Sequence, residues 1–277
     1  MTDAPRISIR EPESVASLSR TFSRSFSAVD LAEPLLSLDE NQPAAVAQKL
    51  FRDRKISVLG VRRGGAVVAW VGEKDLGGRA LGDHAHEIRR EDLLEEATGL
   101  SGVLGALAGA EQVFVDWLGE IAGVITRRDL QKPPLRMWLF GAITVLDANL
   151  STAIGELYPR ESWQPLITPG RLEKAVVLRA ERERRGSPCS LLDCLQLKDK
   201  ADLLLSDRES LAALGFSSQR EADRFTRDIE KLRNHLAHAQ ELEPPHLATA
   251  SRLGSLIHSI IRAEGVQRIM ALRKAHG

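Results

Sequence analysis

Residues 112–130 read QVFVDWLGEIAGVITRRDL. Gln112 to Asp116 is a short β-rich run that reads as a strand, Leu118-Gly119-Glu120 carries turn chemistry, and Ile121 to Ile125 is a second β-rich run. Thr126-Arg127-Arg128-Asp129-Leu130 then opens a helical turn, and a helical pattern, Leu100 to Leu107 (LSGVLGAL), lies just upstream. The same order stands about fifty residues earlier, and a repeat at this level constrains a fold more than any single segment does. Pro43 to Phe51 (PAAVAQKLF) has helical spacing, with proline tolerated near its first turn. Ile56 to Val61 (ISVLGV) leads through Arg62-Arg63-Gly64-Gly65 into Ala66 to Val71 (AVVAWV), a hairpin. Glu73-Lys74-Asp75-Leu76 follows as a helix start, with Asp75 adding favourable charge to its first turn.

Beyond Lys132-Pro133-Pro134 the β signal stops. Helices are expected over Trp138 to Leu157, Arg171 to Arg185 (closed by Gly186) and Leu191 to Ser206. Two more are expected over 218–240 and 246–275, separated by Pro244-Pro245. The chain therefore reads as α+β: an N-terminal arm over 1–27, an α/β repeat domain over 28–135, and an all-α domain over 136–277.

Composition narrows the function. A chain of 277 residues has ample length for a real core. Lys+Arg and Asp+Glu both number 38, which excludes a globally basic nucleic-acid coat and an acidic tail protein, though not a local basic site. An aromatic content of 4% disfavours a reader that stacks bases on aromatic platforms. Two cysteines cannot make a disulfide framework. No uninterrupted apolar run reaches roughly 18 residues, and the first thirty residues lack a signal-peptide core. The expectation is a cytoplasmic protein with no membrane partner.

The repeat places chemistry where each hairpin ends. A strand turning sharply into a helix brings the Thr126 hydroxyl together with the free N–H groups of the first turn, an arrangement that suits a phosphate. Asp129, one turn on, can accept bonds from vicinal ribose hydroxyls, and Arg127 or Arg128 can neutralise phosphate charge. A purely structural reading of the same residues has Thr126 capping the turn and Asp129 complementing its dipole.

A helix-hairpin-helix repeat closing on Gly123-Val124-Ile125-Thr126-Arg127-Arg128-Asp129 resembles a pair of CBS (cystathionine β-synthase) motifs packed as a Bateman module. The resemblance implies adenosine-type ligands (AMP, ADP, ATP or S-adenosylmethionine) held in clefts between the motifs. The first copy departs from the pattern, because Gly72 stands where a Thr or Ser belongs while Asp75 keeps the ribose-binding position. One competent site and one weaker or silent site are expected.

In the helical half, five of the seven histidines lie beyond residue 230. Phe225, Ile229, Leu232 and Leu236 recur at helical spacing and define an apolar stripe. Asn234 and His238 share a face away from that stripe, with Arg233 at its border. This Arg-Asn-x-x-x-His pattern on a late helix is similar to the HEPN (higher eukaryotes and prokaryotes nucleotide-binding) superfamily. That resemblance implies a metal-independent endoribonuclease acting as a homodimer on RNA, with Arg233 and His238 catalytic and Asn234 orienting them. The residue types suit the chemistry: imidazole as base near neutral pH, guanidinium against phosphorane charge. Alternatively, Arg233 pairs with Asp228 or Glu230 and the helical domain serves dimerisation or partner binding without catalysis. Cys189, Cys194, His235 and His238 are types that zinc accepts, but their spacing does not make a knuckle. The cysteines read instead as small core residues around a helix start at Ser190.

Overall fold

In chain order the first half builds β1 (Glu33–Pro34), β2 (Ser37–Asp39), α1 (Ala44–Arg54), β3 (Val58–Arg63), β4 (Ala66–Gly72), β5 (His86–Glu87), β6 (Leu93–Glu95), α2 (Leu100–Gly109), β7 (Gln112–Trp117) and β8 (Glu120–Thr126). The computed structural model describes residues 25–77, 79–206, 211–212, 214–238, 240–242 and 244–261. The expected arm lies almost wholly outside these residues, as does the final helix beyond residue 261 with Arg262, Arg268, Arg273 and Lys274. Contacts divide the chain into one unit over Arg24–Met137 and another that includes Trp138 onward.

In the α/β unit the repeat holds to the level of hydrogen-bond register. β3 pairs β4 with Val58 opposite Gly72, and β7 pairs β8 with Gln112 opposite Thr126, each member displaced by 54 residues. The register shift falls at Val61/Arg62 in one hairpin and at Val115/Asp116, its equivalent, in the other. Both turns need two successive residues at positive φ, the geometry that matches strand twist. Gly64 and Gly65 supply it at +60° and +90°, Leu118 and Gly119 at +56° and +88°. Leu118 is thus a side-chain-bearing residue in a conformation that favours glycine.

The repeats also exchange strands. The sheets run β2-β3-β4-β5 and β1-β8-β7-β6. β1, from the start of the first repeat, completes the second sheet by placing Glu33 opposite Val124, and β5 completes the first by placing His86 opposite Trp70. Two lone bridges, Ser27 with Gly99 and Pro43 with Ala80, repeat the exchange. Two-residue segments of this kind carry little sequence signal, so the exchange is not legible in the sequence.

Apolar burial holds each repeat together. Ala47 and Phe51 of α1 pack on Leu59, Val61, Ala69 and Val71 of β3 and β4. Each fully buried Val, Leu or Phe contributes about 1.5–3 kcal/mol relative to exposure. A second cluster of Val58, Phe114 and Val124, with Leu35, Trp70 and Ile121 around it, joins the two sheets.

The helix starts expected at Glu73 and at Thr126 are only short 3-10 turns, Glu73–Asp75 and Arg127–Gln131. The second ends because Lys132, extended at ψ 148°, precedes a proline that disfavours helical backbone there. Pro133 then opens helix α3 (Pro133–Leu157), five residues before the expected Trp138, since proline suits a first helical turn. α3 is long and apolar enough by composition to cross a bilayer. More than half of its most apolar window is buried within the protein, and its Asp147 holds the buried Lys200 at 2.8 Å. It is built as a core helix, and Asp147 is one reason the sequence shows no unbroken apolar run.

The helical unit continues with α4 (Pro169–Arg184), α5 (Leu197–Leu204), α6 (Gln219–Ala237) and α7 (Pro244–Ile261). The helix expected over Leu191 to Ser206 is instead a 3-10 turn, Leu192–Cys194, followed by α5, because Ser190 and Asp193 cap the turn reciprocally. Pro244-Pro245 do not merely separate helices; they begin α7. On α6, Phe225, Ile229 and Leu232 are buried as the stripe requires. Arg252 of α7 lies over the Phe216 and Phe225 rings and donates to Glu221 at 2.5 Å. Bonds from the Ser217 hydroxyl and N–H, then from Arg252, hold the Glu221 carboxyl down to about 2.

Candidate functional site

The two hairpin ends, equivalent in backbone, are compared most directly through their aspartates. Asp75 accepts from Gly72 N–H at 2.8 Å, and Asp129 accepts from Thr126 N–H at the same distance. These are matching caps of matching turns. Thr126 adds a second bond from its hydroxyl to Asp129, 2.8 Å, which glycine at position 72 cannot make.

Asp129 is therefore not an open acceptor on a helix face, as the sequence suggested. It is 8% exposed and also receives Lys132 Nζ at 3.0 Å. Lys132 in turn reaches Glu33 at 2.6 Å and the Leu31 carbonyl at 2.5 Å. Burial opposes the Lys132 charge, but its hydrogen bonds to Glu33 and Asp129, with their negative charge, outweigh that and hold the ammonium above the usual lysine range. A carboxylate offers about four acceptor positions. The three bonds described here leave one on Asp129 Oδ1. Lys132 was missed by sequence reading; its spacing of three from Asp129 was the available signal.

The second-repeat turn opens on a groove of about 550 Å³. Thr126, Arg128 and Asp129 line one side, and Lys55, Ser57 and Val58 from the first repeat line the other. A neighbouring volume of about 690 Å³ shares Lys55, Val58, Thr126 and Arg128 and extends to Gly72, Asp75 and Arg127. Among the described residues, Arg54, Lys55, Arg127 and Arg128 carry no ion pair, and all four are exposed. Val58 and Val124 give the groove an apolar floor. The arrangement can hold a group that is anionic at one end and flat and apolar at the other.

The first-repeat turn faces different chemistry. Glu111 occupies the repeat position of Ser57, and with Glu73 and Asp75 it brings three carboxylates to this end, alongside the cations Arg52, Lys55 and Lys74. His86, stacked on Trp70 with ring centroids 4.7 Å apart, reaches Asp75 at 3.3 Å. Neither the Lys55-Ile56-Ser57 wall nor Glu111 was singled out from sequence, although aligning the repeats by their hairpins brings both to notice.

In the helical unit, Arg233 and Asn234 lie near the end of α6, exposed and outside the buried stripe. His238 is the residue that ends the helix, its N–H bonded to the Asn234 carbonyl at 3.1 Å, and its side chain is exposed. The alternative pairing of Arg233 with Asp228 is not seen; Asp228 pairs with Lys231 at 3.4 Å. Neighbouring His235 stacks on His246 of α7, centroids 3.9 Å apart, and its Nδ1 lies 3.0 Å from the Lys231 carbonyl. Cys194 is buried and Cys189 half-buried, with no cluster of three or more metal-ligating side chains among the described residues.

No family model matches the chain, and no curated protein matches it. Solved structures similar to part of it include the CBS-pair protein CBSX2 from Arabidopsis thaliana, at 18% identity over 40% of this chain and 96% of that one, TM-score 0.36. The CBS domain of a bacterial CNNM/CorC family Mg2+ transporter in complex with ATP matches at 18% identity over 43% and 94%, TM-score 0.34. The CBS domains of a transcriptional regulator from Streptococcus pneumoniae match at 20% identity over 38% and 96%, TM-score 0.34.

Proposed function

We propose that residues 28–135 form a CBS pair that senses an adenine nucleotide, and that residues 136–277 form a HEPN-like domain with metal-independent endoribonuclease activity under its control. The observation that carries the sensing half is the asymmetric groove: beside unpaired cations, one hairpin end has a threonine hydroxyl and a buried aspartate where its twin has a glycine and the more open Asp75. In this reading Arg128 and Lys55 take the phosphates, with Arg127 and Arg54 adding charge. Thr126 contributes its hydroxyl, the remaining acceptor of Asp129 takes a ribose hydroxyl, and the base lies on Val58 and Val124. AMP, ADP and ATP all meet these requirements. Asp75, already bonded to Gly72 and facing His86, belongs to the weaker site.

For the catalytic half, support comes from Arg233, Asn234 and His238 being exposed together at one end of a rigid helix. His238 would take the proton from a ribose 2′-OH, and Arg233 would stabilise the charge that builds as this oxygen attacks the adjacent phosphate. The products are a 2′,3′-cyclic phosphate and a 5′-OH. A homodimer, with these residues facing their copies, would complete the pocket. Localisation in the cytoplasm is part of the same proposal.

A second reading keeps the sensor and drops the chemistry. Val176, Val177 and Leu178 on α4 are 43%, 64% and 39% exposed, apolar side chains open to contact with a second copy of the chain. One experiment separates the readings: cleavage of structured RNAs by wild type and His238→Ala, with and without AMP or ATP. Loss of cleavage in a folded His238→Ala variant, and a rate that changes with nucleotide, supports the enzyme. Intact RNA with wild-type protein supports the platform.

A further inference from the structure

The two cysteines lie together at a place that neither proposed activity uses. Cys189 Sγ and Cys194 Sγ are 3.5 Å apart, five residues from each other in the chain. Cys194 belongs to the 3-10 turn Leu192–Cys194 and is 7% exposed. Cys189 is half-buried in an irregular stretch, Ser187 to Ser190, that follows Gly186 at φ +72°. One sulfur thus lies buried in the turn while the other is half-buried and reaches solvent from the irregular stretch beside it. A permanent cation attends the more exposed one: Arg182 Nη1 of α4 is 3.8 Å from Cys189 Sγ and also donates to the Asp193 carbonyl at 3.4 Å. Burial first, then the neighbouring Cys189, push the Cys194 thiol up.

We propose that Cys189 and Cys194 are a redox modification site: a hydroperoxide oxidises Cys189, and Cys194 resolves it to an intramolecular disulfide. The Cys189 thiolate attacks the peroxide, an S–O bond forms as the O–O bond breaks, and water or an alcohol leaves. Negative charge on the attacking sulfur forms beside Arg182. Cys194 then attacks the sulfenic sulfur; the S–S bond forms, the S–O bond breaks, and the proton of Cys194 leaves with the oxygen as water. The two sulfurs together lose two electrons and the peroxide gains them. Closing from the observed 3.5 Å to a bond of about 2.05 Å shortens the separation by only about 1.5 Å. The disulfide would tie that segment to the turn ahead of α5, and a thiol reductant would release it.

The test uses the full chain, reduced, freed of reductant and exposed to hydrogen peroxide. Thiol titration after unfolding should fall from two to none without a change in chain mass on a non-reducing gel, and dithiothreitol should restore both. In Cys194→Ser, a sulfenic-acid probe such as dimedone should label Cys189. In Cys189→Ser, labelling of Cys194 should be lower by about tenfold or more, as its burial requires. Thermal melts of both serine variants control for folding. Two thiols that persist after peroxide, a disulfide formed between chains, or stronger labelling of Cys194 would each overturn the proposal.

Discussion

The two hairpin ends of the α/β unit share a backbone and differ in what they can hold. Register, bulge position, turn geometry and the Asp75 and Asp129 caps recur at the same interval. What does not recur is Thr126 against Gly72, Ser57 against Glu111, and Glu33 with Lys132 against His86. Backbone hydrogen bonding and turn sterics specify the repeat; the side chains that differ set the chemistry each end presents. The difference also separates stability from binding, and substitutions can pull the two apart.

Removing the aspartates should give the largest contrast. Asp129→Ala deletes a cap and leaves Lys132 without one of its partners, so about 2–3 kcal/mol of stability should be lost in chemical denaturation. Asp75→Ala deletes only a cap and a weak contact to an exposed histidine, and should cost about 1 kcal/mol. Equal losses would break the comparison. Next, Thr126→Val should weaken nucleotide binding about tenfold, equivalent to about 1.4 kcal/mol, by isothermal titration, because one hydrogen-bonding hydroxyl is removed at nearly constant volume. The turns come third: Leu118→Gly should stabilise the protein by up to about 1 kcal/mol, since Leu118 is 87% exposed and loses strain rather than packing.

The smallest effect is in pH. Lys132 is raised above its ordinary 10.5, so its contribution to stability is complete below that value and is lost as pH rises through the higher folded one. Denaturation of wild type should show this alkaline loss, and Lys132→Met should flatten it.

Much of this was legible in the sequence. Gly64-Gly65 and Leu118-Gly119 mark turns by composition, and QVFVD and IAGVI mark strands as short β-rich runs on either side of one. The apolar stripe of α6 follows from spacing alone, and Phe225, Ile229 and Leu232 are buried as it requires. The remainder depends on distance in the chain. Two-residue strands such as β1 and β5 have no periodicity to read, and Glu33 meets Lys132 only because β1 crosses to the other repeat. Helix lengths at Glu73 and Thr126 were overread because a cap signals where a turn begins and not how far it continues. At Arg233, Asn234 and His238 residue types and a shared helix are legible in the sequence, but a catalytic pocket is a property of how such groups converge.

Titration of ATP or AMP into the full chain, alongside the Thr126→Val and Asp75→Asn variants, tests the central claim most directly. The asymmetric groove predicts one nucleotide per chain, weakened by Thr126→Val and unchanged by Asp75→Asn. Two equivalent sites per chain, or affinity that falls with Asp75→Asn and not with Thr126→Val, would contradict it.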